Sequence, residues 1–163
     1  MSQDTKKIVL PYNLTPDHLL GLVEVLHSLG GRADPMNLGD LLGENIDILP
    51  HVIDVAEILG LVSIAPNGDV VLTELGEKIV TGNIKNVKKL LRENVKRVEP
   101  LSTLLDVLSR RRVITSDEYE SVLSQYYHLH LNDAKRNILQ WGAFLGLFKM
   151  DANDEYVYLL HSK

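Results

Sequence analysis

His128 and His130 stand two residues apart in "YYHLHLND". On a strand, such a pair presents both rings on one face and can chelate a metal. Here the pair falls in a connection just ahead of a helix, and only Asp133 is near as a further ligand. Ordinary surface or half-buried histidines are the simpler reading, as they are for the isolated His18, His27, His51 and His161. Asp117, Glu118 and Glu120 bring carboxylates close together, which in a cleft would suit acid–base work. At the start of a helix, carboxylates instead complement the positive end of the dipole. Trp141 and the Tyr126-Tyr127 pair offer stacking surfaces. Trp141 sits at a helical position beside Leu139 and Leu145, which predicts core, and of the two tyrosines one is expected inside and one outside. Lys135, Arg136, Asn137 and Gln140 share a helix and are chemically able to contact bases or phosphates.

No phosphate-cradling Gly-x-x-x-x-Gly-Lys-Ser/Thr occurs, and no Gly-x-Gly-x-x-Gly, His-Glu-x-x-His or Gly-x-Ser-x-Gly. "GGRADP" has two glycines without a following lysine and reads as a helix–helix turn. The absence of any cysteine excludes disulfides and thiolate metal sites. These features predict a non-enzyme with neither catalytic residues nor cofactor nor metal. No apolar run approaches 18 residues, so no membrane insertion is expected, and a cytoplasmic location follows by default.

The elements that position these residues follow from punctuation and periodicity. Residues 1–13 read as a flexible arm broken by Pro11 and Asn13. Thr15 and Pro16 open a helix ended by Gly30-Gly31. Asp34-Pro35 opens a second, and a third runs from about Ile48 to Leu59. Leu61–Ile64, "PNGD" and Val70–Leu72 predict a hairpin, because Asn-Gly takes positive φ cheaply. Thr73 then caps a fourth helix, and Gly82-Asn83 marks the midpoint.

"IKNVKKLLRENVKRV" predicts a basic amphipathic helix over 84–98, the candidate surface for a homodimer. Pro100 starts another helix, "TSDE" at 115–118 matches a capping box, and Asn132 is expected to cap the helix of Trp141. Two strands follow Gly146. Gly60 and Gly146, like Asn67 and Asn153, are 86 residues apart, so the hairpins align without a gap. This predicts a mainly α fold with small β-hairpin wings, arranged as two tandem winged-helix, helix-turn-helix-like units over 14–83 and 84–163.

Such units invite a DNA-binding reading, which charge opposes. Residues 1–83 carry 4 Lys and Arg against 12 Asp and Glu, and residues 84–163 carry 13 against 10. The third helix of the first unit offers Asp47, His51, Asp54 and Glu57 off its core stripe, a set that repels phosphates. Only the second unit, through Lys135, Arg136, Asn137 and Gln140, keeps a DNA-binding regulator as the alternative.

"LLGLVEVLHSLGGRADPMNLGDLLGENIDILPHVIDVAEILGLVSI", then "LTELGEKIV" and "ILQWGAFLGLFKMD", resemble the AAA-associated C-terminal domain. That domain follows the ATPase module in ATP-binding subunits of nitrate/sulfonate/taurine-type ABC transporters. The resemblance spans roughly residues 14–160. It rests on Gly30-Gly31, Leu-Gly-Leu at 59–61, Leu-Thr-x-x-Gly at 72–76 and Trp-Gly at 141–142. It implies a regulatory or protein-interaction module partnered by an ABC-type ATPase or another transporter component, held through that partner at the inner membrane face. It carries over no catalytic residue, because the family's ATPase motifs lie in a domain this chain lacks.

Overall fold

A computed structural model describes residues 7–43, 47–82 and 84–160, with residues 84–86 described by backbone alone. Asn83, His161, the first six residues of the expected arm and the side chain of Lys85 lie outside that description. In chain order the elements are β1 (Ile8–Val9), α1 (Pro16–Ser28), β2 (Arg32–Ala33), α2 (Pro35–Leu42), α3 (Leu49–Ile58), β3 (Val62–Ile64) and β4 (Val70–Leu72). There follow α4 (Glu74–Thr81), α5 (Ile84–Asn94), a 3-10 turn (Val95–Arg97), β5 (Val98–Glu99), α6 (Leu101–Arg111) and β6 (Val113–Thr115). The chain continues through α7 (Ser116–Ser124), α8 (Leu131–Leu145), β7 (Phe148–Met150) and β8 (Tyr156–Leu159). The fold is thus mainly helical with small sheets. Among the described residues, no helix is long and apolar enough to cross a membrane.

Contacts divide the chain into two bodies, one of residues 16–94 and one of the described parts of 1–15 and 95–163. Each contains helix, strand, helix, helix and a hairpin, and in each the strand after the first helix joins the hairpin. The sheet orders are β2-β4-β3 and β6-β8-β7, both antiparallel. The edge strands β2 and β6 escape a reading by periodicity, because two or three residues cannot display alternation.

The first body is built on α1, whose Leu19, Leu22, Val23 and Leu26 are fully buried and face α2, α3 and α4. Asp34 caps α2 by accepting from the Asn37 N–H at 3.0 Å, and Thr73 caps α4 by accepting from the Gly76 N–H at 3.1 Å. The expected boundary at 83/84 moves to 94/95. Val87 and Leu91 of α5 are buried, α5 packs on α4, and Asn94 Nδ2 donates to the Leu59 carbonyl at 2.8 Å. The helix expected over 84–98 stops at Asn94, because Val98-Glu99 turns extended to pair with β1.

In the second body, the Thr115 capping box forms in both directions, Thr115 accepting from Glu118 N and Glu118 from Thr115 N. Asn132 does not cap α8. The helix starts two residues earlier, after His130 in a left-handed conformation, and makes no side-chain cap there. Val157, Phe148, Trp141, Ile138 and Tyr119 lie at its centre.

The two hairpins differ by one residue. Val62 pairs with Leu72 and Ile64 with Val70, whereas Phe148 pairs with Leu159 and Met150 with Val157. The ungapped alignment therefore fails past the turn. Gly68 takes positive φ in the first turn, and Asp154 takes it in the second, where an added residue relaxes the loop. The Asp151 carboxylate steadies that loop by accepting from the N–H groups of Glu155 and Tyr156 at 2.8 and 3.0 Å.

Candidate functional site

The residues expected to face a ligand are largely spent on the fold. Asn137 is 4% exposed. Its Nδ2 donates to the carbonyls of Leu14 at 2.8 Å and Pro11 at 3.4 Å, so its place in a nucleic-acid surface is corrected to an internal anchor. Lys135 is paired with Glu120 at 2.7 Å, and Arg136 with Asp133. Gln140 is exposed on the same helix. Lys135 and Arg136 border a shallow cleft of ≈ 370 Å³ together with Tyr119, Asn132 and Asp154. A carboxylate already answers each cation there, so little net positive potential remains for a phosphate.

His128 and His130 are exposed, and among the described residues no group of three or more His, Asp or Glu is placed to hold a metal. His130 instead stacks on Tyr12, ring centroids 4.3 Å apart and planes 8° from parallel. Glu118 serves the capping box and pairs with Arg111. That guanidinium holds its carboxyl below the usual range, as Arg32 and Asn67 do for Asp69 in the first body.

What the structure does assemble is a cradle for residues 8–14. Ile8-Val9 adds to Val98-Glu99 as a parallel strand, and the Leu10 N–H donates to the Glu99 carbonyl at 2.8 Å. Leu10 and Leu14 are fully buried. Three side chains reach the segment's carbonyls: Tyr127 Oη donates to Leu10 at 2.7 Å, Asn137 Nδ2 to Leu14 at 2.8 Å, and Trp141 Nε1 also to Leu14 at 2.8 Å. Burial pushes the Tyr127 and Tyr119 phenols up, which keeps both neutral and able to donate. Tyr119 donates to the Lys135 carbonyl at 2.8 Å. Tyr126 is only half buried and shares its hydroxyl with Thr103 at 2.9 Å.

The expected flexible arm is thus, from residue 8 onward, an ordered strand and an anchored turn. Pro11 and Asn13 rule out a helix, but they do not rule out an extended segment held by others. The available signal was the apolar run Ile8-Val9-Leu10 followed by Leu14, set after a polar start to the chain.

Two of the motif glycines, Gly76 and Gly142, are places where another group approaches too closely for a side chain, whereas Gly30 and Gly31 serve through their positive φ in open space. A Cβ on Gly76 would meet the Leu61 carbonyl oxygen at 2.3 Å, and one on Gly142 would meet the Phe148 ring at 2.4 Å. Thr73 completes the first arrangement, since its hydroxyl donates to the Gly60 carbonyl at 2.6 Å and its N–H to that of Leu61 at 3.0 Å. Leu-Gly-Leu and Leu-Thr-x-x-Gly are therefore two halves of one clasp between the end of α3 and the start of α4. Outside this clasp, His51, Asp54 and Glu57 are exposed in a row on α3.

Residues 36–151 match the family model of the C-terminal AAA-associated domain. No curated protein and no solved structure matches the chain.

Proposed function

Because the chain belongs to the C-terminal AAA-associated domain family, we propose that it is a non-catalytic regulatory and protein-interaction module that acts on an ABC-transporter ATP-binding subunit. The family match carries the reading. Two tandem winged-helix units are its proposed architecture, and the repeated order of helix, strand, helix, helix and hairpin supports it. The motif residues fit the same reading: Thr73, Gly76, Trp141 and Gly142 all serve packing or caps. The outward face of α3, with His51, Asp54 and Glu57, suits a basic protein surface better than a phosphate backbone.

A DNA-binding regulator has less support, since Asn137 is internal and Lys135 and Arg136 are ion-paired. The test is reconstitution with the ATP-binding subunit of a transporter from the same cell. The proposal expects co-elution and a changed rate of ATP hydrolysis. Retention of nucleic acid alone, with a gel shift persisting at ~0.1 M salt, would overturn it.

A further inference from the structure

We propose that the outward face of the β6-β8-β7 sheet is a docking surface whose partner is an acidic protein segment carrying an apolar side chain. The two bodies repeat one sheet, so the first shows this face as plain surface. There Arg32 and Ser63 flank Val71, as Val113 and Lys149 flank Tyr158 in the second body. Residues paired in this way across a sheet share a face. Asp69 stands two residues before Val71, as Tyr156 does before Tyr158. In the first body the face satisfies itself, because Arg32 donates to Asp69 at 2.9 Å. In the second, Val113 and Tyr156 replace that ion pair and are 42% and 44% exposed. Tyr158 and Lys149 are exposed as well.

Arg112 supplies an independent observation. Its carbonyl accepts from the Leu159 N–H at 2.9 Å, as that of Gly31 accepts from Leu72 at 2.8 Å. The two residues therefore correspond, and both have positive φ, +69° at Arg112 and +95° at Gly31. Arginine bears a backbone strain there that glycine escapes, so what the position gains is a side chain. Arg110 and Arg111 pair with Asp106 and Glu118. Arg112 and Lys149 make no ion pair among the described residues. Two unanswered cations beside exposed tyrosines match carboxylates next to an apolar group.

A nucleic-acid strand matches less well. Beyond Tyr156 the same hairpin carries Asp151, Asp154 and Glu155, which a continuous phosphate backbone would meet. A protein segment need place its carboxylates only at the end of Arg112 and Lys149. The inference rests on the reading of this chain as an interaction module. Its test uses no ATP-binding subunit, so failure here and failure of the reconstitution are separate results.

The probe is a short labelled peptide of glutamates around a central leucine, titrated into the full-length protein. Its controls are the same peptide with lysines for glutamates and a strand of oligo-dT. The glutamate peptide should bind at least about tenfold more tightly than either control. K149S and V113R/Y156D, which recreate the first body's face, should each weaken it about tenfold. R112G should weaken it as much, while its melting temperature holds or rises because the strain is gone. A purely structural Arg112 would not separate binding from stability in that way. No preference over the lysine peptide, tighter binding of oligo-dT, or parental affinity in R112G and K149S would overturn the docking surface.

Discussion

Asn137 and Trp141 lie one helical turn apart on α8 and donate to the same acceptor, the carbonyl oxygen of Leu14, each at 2.8 Å. Either donor alone satisfies that buried oxygen, so the two are redundant for the acceptor. N137A and W141F should each cost about 1 kcal/mol for their lost hydrogen bond, with W141F adding a packing loss. The double variant leaves the oxygen unpaired and should cost about 1–3 kcal/mol beyond the sum. Urea unfolding of the four proteins in the cycle measures this. Strict additivity would mean that water reaches Leu14 and that the cradle is not sealed.

The repeated unit solves one packing problem in two ways. Ala56 and Val62 in the first body occupy the positions of Gly142 and Phe148 in the second, and all four residues are buried. The large ring requires the glycine. G142A should destabilise by about 1–3 kcal/mol through overpacking, and G142A/F148V, which recreates the pair of the first body, should regain much of it. G76A should find no such rescue, because the atom it meets is the Leu61 carbonyl oxygen rather than a side chain. Thermal melts of G76A alone and with L72A, which trims the other close neighbour, separate the two cases.

This pair also explains how much the sequence disclosed. The helices, the caps at Asp34, Thr73 and Thr115 and both hairpins were legible, since each depends on residues a few positions apart. The duplication was legible too, except for the residue added after Met150, which shows only in the register. The cradle was not legible. Its contacts join Leu10 and Leu14 to Tyr127, Asn137 and Trp141 across more than a hundred positions, and no local pattern encodes them. Asn137 misled through its polar side chain: its helical phase, three residues after Ala134 and four before Trp141, is that of the buried stripe and not of Lys135 and Arg136.

Acid and alkali should weaken the protein through different groups. The folded-state pKa values of Asp69 and Glu118 are depressed by Arg32 and Arg111, so their contribution is present above the ordinary carboxylate range and is lost as pH falls through it. The melting temperature should drop below about pH 4, and E118Q should flatten that drop. The phenols of Tyr119 and Tyr127 are raised by burial, so their contribution is complete below about pH 10 and is lost as pH rises beyond it. Emission of Trp141, the single tryptophan, should redden there as the Leu10–Leu14 segment leaves. Y127F should cost about 1 kcal/mol at neutral pH and make the alkaline loss shallower. An alkaline profile identical to that of the parent would remove Tyr127 from the account.

The second hairpin holds its turn with an aspartate where the first uses a glycine. Asp154 has φ +59° and Gly68 has φ +93°. A non-glycine residue in that region carries a cost of about 1 kcal/mol, which aspartate bears better than most residues but does not escape. D154G should therefore stabilise by a few tenths to about 1 kcal/mol, reduced by the greater freedom of glycine in the unfolded chain. G68A should destabilise by about 1 kcal/mol. D151A should also destabilise, because it strips the two backbone N–H groups of Glu155 and Tyr156 of their acceptor. Denaturant titration of the three variants orders them D154G above parent above both others. If D154G falls below the parent, the Asp154 side chain makes a contribution in the turn that outweighs its backbone strain.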